Sequence, residues 1–140
     1  MKRLVVFLIS FMLISCNNDD NSDSISSCDF ETIIDGDLYI MASESSYDVT
    51  NAIVTADCLE ITIGSSGCDG ETWEVLLVSD YPLAFGDNFG ASLSLKLTSN
   101  EDCEAYLIRT YSFDLSVIHN NNQDGVISLD GWDETLNVSN

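Results

Sequence analysis

The sequence predicts an all-β domain, an antiparallel β-sandwich of about seven to eight short strands. Three observations support this prediction. Apolar and polar residues alternate through most of the chain after residue 28, breaks rich in glycine and asparagine separate the alternating stretches, and no long segment has the 3.6-residue period of an amphipathic helix. An up-and-down β-barrel is the alternative, because strand number does not distinguish a closed sheet from two packed sheets.

The predicted strands follow one another from residue 46. Residues 46–57 are rich in β-branched side chains, which favour a strand over the helical turn that they could also form. Leu59, Ile61 and Ile63 alternate with less apolar neighbours, as the residues of a half-buried strand do. Similar patterns predict strands at residues 73–78, 91–97, 106–111, 113–117, 126–129 and 135–138.

Residues 73–78, WEVLLV, are apolar on both faces except at Glu74, and this composition predicts a central strand with two covered faces. Residues 106–111, YLIRTY, have a similar composition. The segments between strands contain residues that tolerate positive φ or bond their own backbone, which favours hairpin turns. These segments are GSSGCDG, FGDNFG, TSNED and HNNNQDG.

The start of the chain has the parts of an export signal. Lys2 and Arg3 supply positive charge, and residues 4–14 form an apolar run that ends shortly before Cys16. This run is shorter than the ~20 residues that a membrane-spanning helix needs. We therefore expect residues 1–15 to be a signal peptide that is removed.

The junction Leu13-Ile14-Ser15-Cys16 resembles a bacterial lipobox. The resemblance implies that the Cys16 thiol is diacylated and that the signal peptide is cut just before it. One acyl chain holds a protein only marginally, whereas two or three make a durable anchor. We therefore expect acyl chains on Cys16 to hold the protein on a membrane. A plain signal peptide, cleaved without lipidation, is the alternative.

Residues 17–27 contain asparagine, aspartate, serine and one isoleucine. Such a segment cannot bury enough apolar surface to fold, so we expect residues 16–27 to be a flexible acidic tether. An acidic stretch after the lipidated cysteine resembles the surface-export signal of Bacteroidota lipoproteins, which implies an outer-membrane location facing the medium. The alternative is a solvated linker that carries no export signal. Residues 28–140 then form one β domain.

The balance of charges is strongly acidic. The chain has 24 acidic residues and four Lys or Arg, and its formal net charge is −20. After removal of residues 1–15, Lys96 and Arg109 are the remaining Lys and Arg residues. Such a charge repels nucleic acid and anionic lipid headgroups, so neither is an expected partner. Solubility explains the charge without a dedicated cationic partner.

Four cysteines follow Cys16, and an even number in an exported chain predicts two disulfides with three possible connectivities. If successive strands alternate in direction, Cys68 and Cys103 lie at one end of the domain, which leaves Cys58, at the opposite end, for Cys28, where the tether enters the fold. We therefore predict the pairs Cys28–Cys58 and Cys68–Cys103. No pair has C-x-x-C spacing, so we expect no metal ion and no other cofactor.

No catalytic motif is evident in the chain. We expect His119, the single histidine, at an exposed turn without a catalytic role. Asn120, Asn122 and Asp124 match early positions of an EF-hand calcium loop, but Gly131 stands where glutamate is required. A wide hairpin turn explains the same residues, so the sequence predicts no catalytic and no metal-binding residue.

The body of the chain, from CLEITIGSSGCDGETWEVLLV to VISLDGWDETLNV, resembles that of small Bacteroidota surface lipoproteins with no established activity. We expect a non-enzymatic binding or accessory role, such as adhesion or capture of a ligand or glycan. Exposed aromatic residues could form a sugar-stacking platform, although core packing is the default for tryptophan; the candidates are Trp73, Trp132, Tyr81, Phe85 and Phe89. The alternatives are a small carboxylate-dependent glycan hydrolase and a barrel that carries a small apolar ligand.

We predict that Cys16→Ala abolishes lipidation, because the thiol is the site that the lipobox would acylate. Metabolic labelling with a radioactive fatty acid measures this directly, with the wild-type chain as reference. Undiminished acylation of the Cys16→Ala chain would contradict the prediction.

Overall fold

The computed structural model describes residues 27–119 and 124–139. Predictions about residues 1–26, including Cys16, and about Asn120 and Asn122 lie outside these residues. The described part contains nine strands and one short helix: β1 Phe30–Ile34, α1 Gly36–Ala42, β2 Asp48–Thr55, β3 Cys58–Gly67, β4 Glu74–Ser79, β5 Leu83–Phe85, β6 Asn88–Thr98, β7 Ala105–Asp114, β8 Asp124–Leu129 and β9 Leu136–Val138. The all-β prediction is therefore confirmed.

The strands form one sheet in the order β2-β3-β7-β1-β4-β6-β8-β9, and β5 pairs with β6. The prediction of a purely antiparallel arrangement is wrong at three pairings, since β1 runs parallel to both β4 and β7, and β6 runs parallel to β8. The physical reason is that these pairs join strands distant in sequence, whereas local turn signals report only on neighbouring strands. The sequence pattern also missed β1, β5 and α1.

Strand β1 connects the two halves of the sheet. Its first residues pair with β7, through Phe30 opposite Phe113, and its later residues pair with β4, through Thr32 opposite Leu77. The two outermost strands, β2 and β9, contact each other. The sheet is therefore nearly closed and barrel-like, which is consistent with the barrel alternative.

The core lies on one face of the sheet, where the alternating apolar residues point. Leu59, Ile61 and Ile63 on β3 are fully buried, as are Leu77 on β4 and Phe113 on β7. Further buried residues of the same cluster are Leu93, Leu95, Ile127, Leu129, Leu136 and Val138. Burial of these side chains, each contributing about 1.5–3 kcal/mol, is the main force holding the sheet together.

Helix α1 packs against β4 and β6. Asp35 caps its start, because one carboxylate oxygen of Asp35 accepts the backbone N–H groups of Asp37 and Leu38 at 3.0 Å each.

Val78 on β4 and Ser94 on β6 pair with each other and lie outside the main core cluster, yet both are fully buried. Both faces of β4 are thus covered, as its apolar composition predicted.

Two disulfides are confirmed, and they join Cys28 to Cys58 and Cys68 to Cys103, the predicted pairs. They lie at opposite ends of β3, which begins at Cys58 and ends one residue before Cys68. At the second end, Gly67 pairs with Ala105 on β7, which brings Cys68 close to Cys103.

Within residues 27–119 and 124–139, no helix has the length and hydrophobicity required to cross a membrane.

We predict that Cys68→Ala/Cys103→Ala lowers the free energy of unfolding by about 3–4 kcal/mol, because the disulfide closes a long loop of the unfolded chain. Urea denaturation of the double variant and of wild type measures the difference. Ser66→Ala/Asp102→Ala, which substitutes neighbouring exposed residues and keeps the disulfide, is the control. Equal midpoints for the disulfide variant and wild type would contradict the prediction.

Candidate functional site

His119 is buried, so the expectation that it is exposed at a turn is wrong. After β7 the chain turns back, with the Ile118 backbone N–H donating to the Leu115 carbonyl at 3.0 Å, and this turn carries His119 into the domain. The imidazole stacks on the Phe89 ring with centroids 5.4 Å apart. Its Nε2 lies 3.7 Å from a carboxylate oxygen of Asp57. These contacts give His119 a structural role in joining two turns.

The five aromatic candidates for a sugar platform do not come together. Trp73 and Phe89 are buried in the core, and Trp132 is partly buried against it. Tyr81 and Phe85 are exposed; Phe85 is the last residue of the short strand β5, and Tyr81 lies two residues before this strand. Among the described residues, no three His, Cys, Asp or Glu side chains are grouped so that they could hold a metal ion.

A different aromatic residue, Tyr106, lies in a polar pocket built by β2, β3 and β7. Gly64 on β3 pairs with Asp48 on β2, and Tyr106 on β7 pairs with Ser66 two residues along β3. The Tyr106 side chain extends over Gly64, where any Cβ would overlap the phenol hydroxyl and ring. The hydroxyl then donates to a carboxylate oxygen of Asp48 at 3.1 Å. The phenol therefore spans three strands.

We call this site the Tyr106 pocket, with a volume of about 340 Å³. It is lined by Ser45, Ser46, Tyr47, Asp48, Gly64, Ser65, Ser66 and Tyr106. The segment before β2 is held in place on two sides. Ser65 Oγ donates to the Ser46 carbonyl at 3.1 Å, and the Leu97 backbone N–H donates to Ser45 Oγ at 3.2 Å. The pocket is thus preformed, with its hydroxyl-bearing wall attached to the sheet.

Both tyrosines of the pocket have raised pKa values. Burial, together with the negative charge of Asp130, raises the pKa of Tyr47 to about 12. Desolvation, together with the hydrogen bond and charge of Asp48, raises the pKa of Tyr106. Both phenols therefore stay neutral near physiological pH and act there as hydrogen-bond donors and apolar surfaces, not as bases.

Beyond the pocket, Glu101 organises the loop that follows β3. One of its carboxylate oxygens accepts the backbone N–H groups of Cys68 at 2.6 Å and Gly70 at 3.1 Å, and the other accepts the Thr72 hydroxyl at 3.0 Å. The Arg109 guanidinium donates to the Asp69 carbonyl of the same loop. Together with the Cys68–Cys103 disulfide, these bonds hold the end of β3 that carries the pocket.

These hydrogen bonds also change the acidity of Glu101. Partial desolvation raises the pKa of Glu101, but the hydrogen bonds from Cys68, Gly70 and Thr72 favour the ionised form more strongly. The net result lowers the pKa from 4.5 to about 2. The stabilising contribution of this carboxylate is therefore present above pH 4.5 and is lost as the pH falls through about 2.

Sequence reasoning missed the Tyr106 pocket because it assigned residues 106–111 to a strand with two covered faces. Tyr106 is in fact 56% exposed. Its position over Gly64 depends on the register between β7 and β3, which lie about 40 residues apart in the chain. The sequence feature that could have indicated the pocket was Gly64, because a glycine inside a strand often marks the close approach of another group.

No protein-family model and no curated protein matches the chain. A similar solved structure is the crystal structure of a DUF1344 protein of unknown function from Bacteroides vulgatus ATCC 8482. It is 12% identical, with a TM-score of 0.54, and the match covers 79% of this chain and 55% of that one. The present chain thus spans about half the length of its structural neighbour, and the similarity shows a shared β-rich fold alone.

We predict that the backbone amide resonances of Cys68, Gly70 and Thr72 shift together as the pH is lowered, with a midpoint near 2. The reason is that protonation of Glu101 removes their common acceptor. Glu101→Gln should abolish this shift and lower the melting temperature. The reason is that the NH₂ group of the glutamine side chain is a donor and would face the backbone N–H donors of the loop. Nuclear magnetic resonance and thermal unfolding measure both effects.

Glu71→Gln is the matched control for Glu101→Gln, since Glu71 is exposed in the same loop. It should change neither the amide shifts of the loop nor the melting temperature. A midpoint near pH 4.5 in the wild-type chain, or equal melting temperatures for both variants, would show that Glu101 does not hold the loop.

We predict that Gly64→Ala keeps the fold and displaces Tyr106. The new methyl group overlaps the far end of the tyrosine side chain, which can rotate away without moving the backbone. The pKa of Tyr106 then falls towards its ordinary value of 10.0, because the contact with Asp48 is lost. A pH titration of ¹³C-labelled tyrosine measures this change, with Glu60→Ala on the same strand as control.

Proposed function

We propose that this protein is a lipid-anchored surface lipoprotein that captures a glycan in the Tyr106 pocket without chemically altering it. The observation that carries the proposal is the exposed Tyr106 ring, held over Gly64 beside serine hydroxyls and the Asp48 carboxylate. An aromatic surface next to several hydrogen-bonding groups is a suitable arrangement for a sugar ring, which has an apolar face and a hydroxyl-bearing edge.

The chemistry of the pocket supports carbohydrate more than an apolar ligand. A sugar can place its C–H bonds on the Tyr106 ring, since the face of an aromatic ring carries partial negative charge. Its hydroxyls can then bond to the Ser65 and Ser66 hydroxyls, which donate and accept hydrogen bonds, or donate to the Asp48 carboxylate, which accepts them. The volume of about 340 Å³ is at the lower end of typical ligand sites, which favours recognition of a short segment of a glycan.

A binding role is favoured over hydrolysis by the count of carboxylates at the site. Glycoside hydrolysis usually requires two carboxyl groups flanking the bond that is cleaved. Among the described residues that line the pocket, Asp48 is the single acidic side chain, and it is already the acceptor of the Tyr106 hydroxyl. The phenols of Tyr47 and Tyr106, with raised pKa values, are poor substitutes for a general base.

The location of the pocket agrees with display at the cell surface. In the proposed molecule, acyl chains on Cys16 hold the protein on the outer membrane, and the acidic tether joins the domain at Cys28. The Cys28–Cys58 disulfide lies at one end of β3, whereas Gly64 and Ser66 lie towards the other end. Six residues of strand separate Cys58 from Gly64 by about 20 Å, so the pocket lies well away from the point where the tether joins the domain. We further propose that the nearly closed sheet is a barrel.

The experiment that tests the proposal is a binding screen of the lipidated full chain against neutral and amino-sugar oligosaccharides, followed by calorimetry on any that bind. Tyr106→Ala should weaken binding about tenfold or more, which corresponds to about 1.4 kcal/mol. Gly64→Ala should weaken it similarly, because the ring is retained but displaced. Phe85→Ala, which removes an exposed aromatic residue elsewhere, should leave the affinity unchanged.

Two results would contradict the proposed function. One is an affinity that Tyr106→Ala and Gly64→Ala leave intact, which would place the binding site elsewhere on the domain. The other is release of a reducing sugar from a bound oligosaccharide, abolished by Asp48→Asn, which would assign the pocket to a hydrolase.

A further inference from the structure

Four large apolar side chains are exposed around the short strand β5 and the turn that follows β7. Tyr81 is 70% exposed, Leu83 60%, Phe85 63% and Val117 52%. Leu83 and Val117 line one groove of about 300 Å³, together with Pro82 and Ile118. We call Tyr81, Leu83, Phe85 and Val117 the apolar rim. Exposed apolar side chains gathered in this way mark a contact surface more often than scattered single residues do.

The apolar rim lies at the end of the domain where the tether joins. Cys28 is bonded to Cys58, and Asp57 directly precedes Cys58. The Asp57 carbonyl accepts the Leu115 backbone N–H at 2.8 Å, and its carboxylate lies 3.7 Å from His119. His119 and Val117 line the groove that also contains Leu83. The attachment point of the tether is therefore linked through Asp57 and His119 to the groove that Leu83 and Val117 line.

The length of the tether places this end of the domain close to the membrane. Residues 17–27 separate the lipidated Cys16 of the proposed function from Cys28. Eleven residues reach at most about 40 Å even when fully extended, so in the proposed molecule Cys28 lies within this distance of the acylated Cys16. Tethering also raises the effective concentration of the rim at the bilayer, so even a weak contact is populated.

We propose that the apolar rim rests on the bilayer to which the lipid anchor holds the protein, with Tyr81, Leu83, Phe85 and Val117 inserted at the level of the headgroups. This inference rests on the lipid anchoring in the proposed function. Aromatic and aliphatic side chains at such a surface gain from burial in the interface. The contact orients the domain, so that the Tyr106 pocket at the other end of β3 faces the medium.

Charge determines which lipid surface fits the rim. Acidic residues surround it, including Asp57 and Asp80, both exposed, and Asp114 and Glu31 of the adjoining cleft. Carboxylates at this position limit insertion to the apolar side chains and disfavour anionic headgroups. The surface that fits is therefore zwitterionic. A second copy of the chain is a poorer occupant, because two chains with a net charge of −20 repel each other.

The test uses the full lipidated chain in vesicles of zwitterionic phosphatidylcholine that contain brominated acyl chains, which quench nearby tryptophan. Phe85→Trp places a reporter on the rim, and Tyr106→Trp places the same reporter at the other end of the domain. Trp73 and Trp132 are common to both variants and cancel in the comparison. We expect quenching of the reporter at residue 85 at least twice that at residue 106, and a weaker effect when anionic phosphatidylglycerol is added.

Vesicle flotation separates failure of this inference from failure of the proposed anchoring. If the chain floats with the vesicles and both reporters are quenched equally or not at all, the rim does not contact the bilayer and the inference is overturned. If the chain does not float, the lipid anchor itself is disproved, and the inference falls with it. Leu83→Ala/Phe85→Trp should keep flotation but reduce quenching; unchanged quenching would show that the rim does not insert through its apolar side chains.

Discussion

Strand β3 pairs with β2 on one side and with β7 on the other, and a disulfide holds each of its ends. Its inward residues Leu59, Ile61 and Ile63 are fully buried, so a slip of one residue would turn this apolar set to solvent. The core, the two disulfides and the register of three strands therefore constrain one another. Other features of the domain are positioned relative to this strand.

The Tyr106 pocket is a consequence of that register. A glycine at position 64, opposite Asp48 on one neighbouring strand and close to Tyr106 on the other, lets one phenol reach across β3. A shift of two residues would place Thr62 or Ser66 under the ring, and the Asp48 carboxylate would lose its donor. Because the Cys68–Cys103 disulfide and Glu101 hold the same end of β3, the pocket lies on a rigid support. A preorganised site loses little conformational entropy of its own when any ligand binds to it.

The two ends of β3 differ in surface chemistry. Near Cys58 the turns after β2 and β7 meet through Asp57 and His119, and exposed apolar side chains lie beside them. Towards Cys68 the surface is lined by serine hydroxyls, a carboxylate and hydrogen-bonded loops. In the proposed anchored molecule, the chain from Cys16 joins the domain at the apolar end and the polar pocket lies towards the other end, so the two ends would face opposite sides.

Period-2 alternation and glycine-rich breaks are enough to predict the all-β class, most of the strands and the two disulfides, since these features depend on local pattern and on chain direction. The parallel placement of β1 between β7 and β4, the nearly closed sheet and the burial of His119 depend on pairing between distant segments, which periodicity and turn signals do not specify. The candidate site belongs to this second group. Tyr106 was visible as part of a strand, but its exposure and its position over Gly64 arise from the register of β3 and β7, which is set by the packing of the whole core.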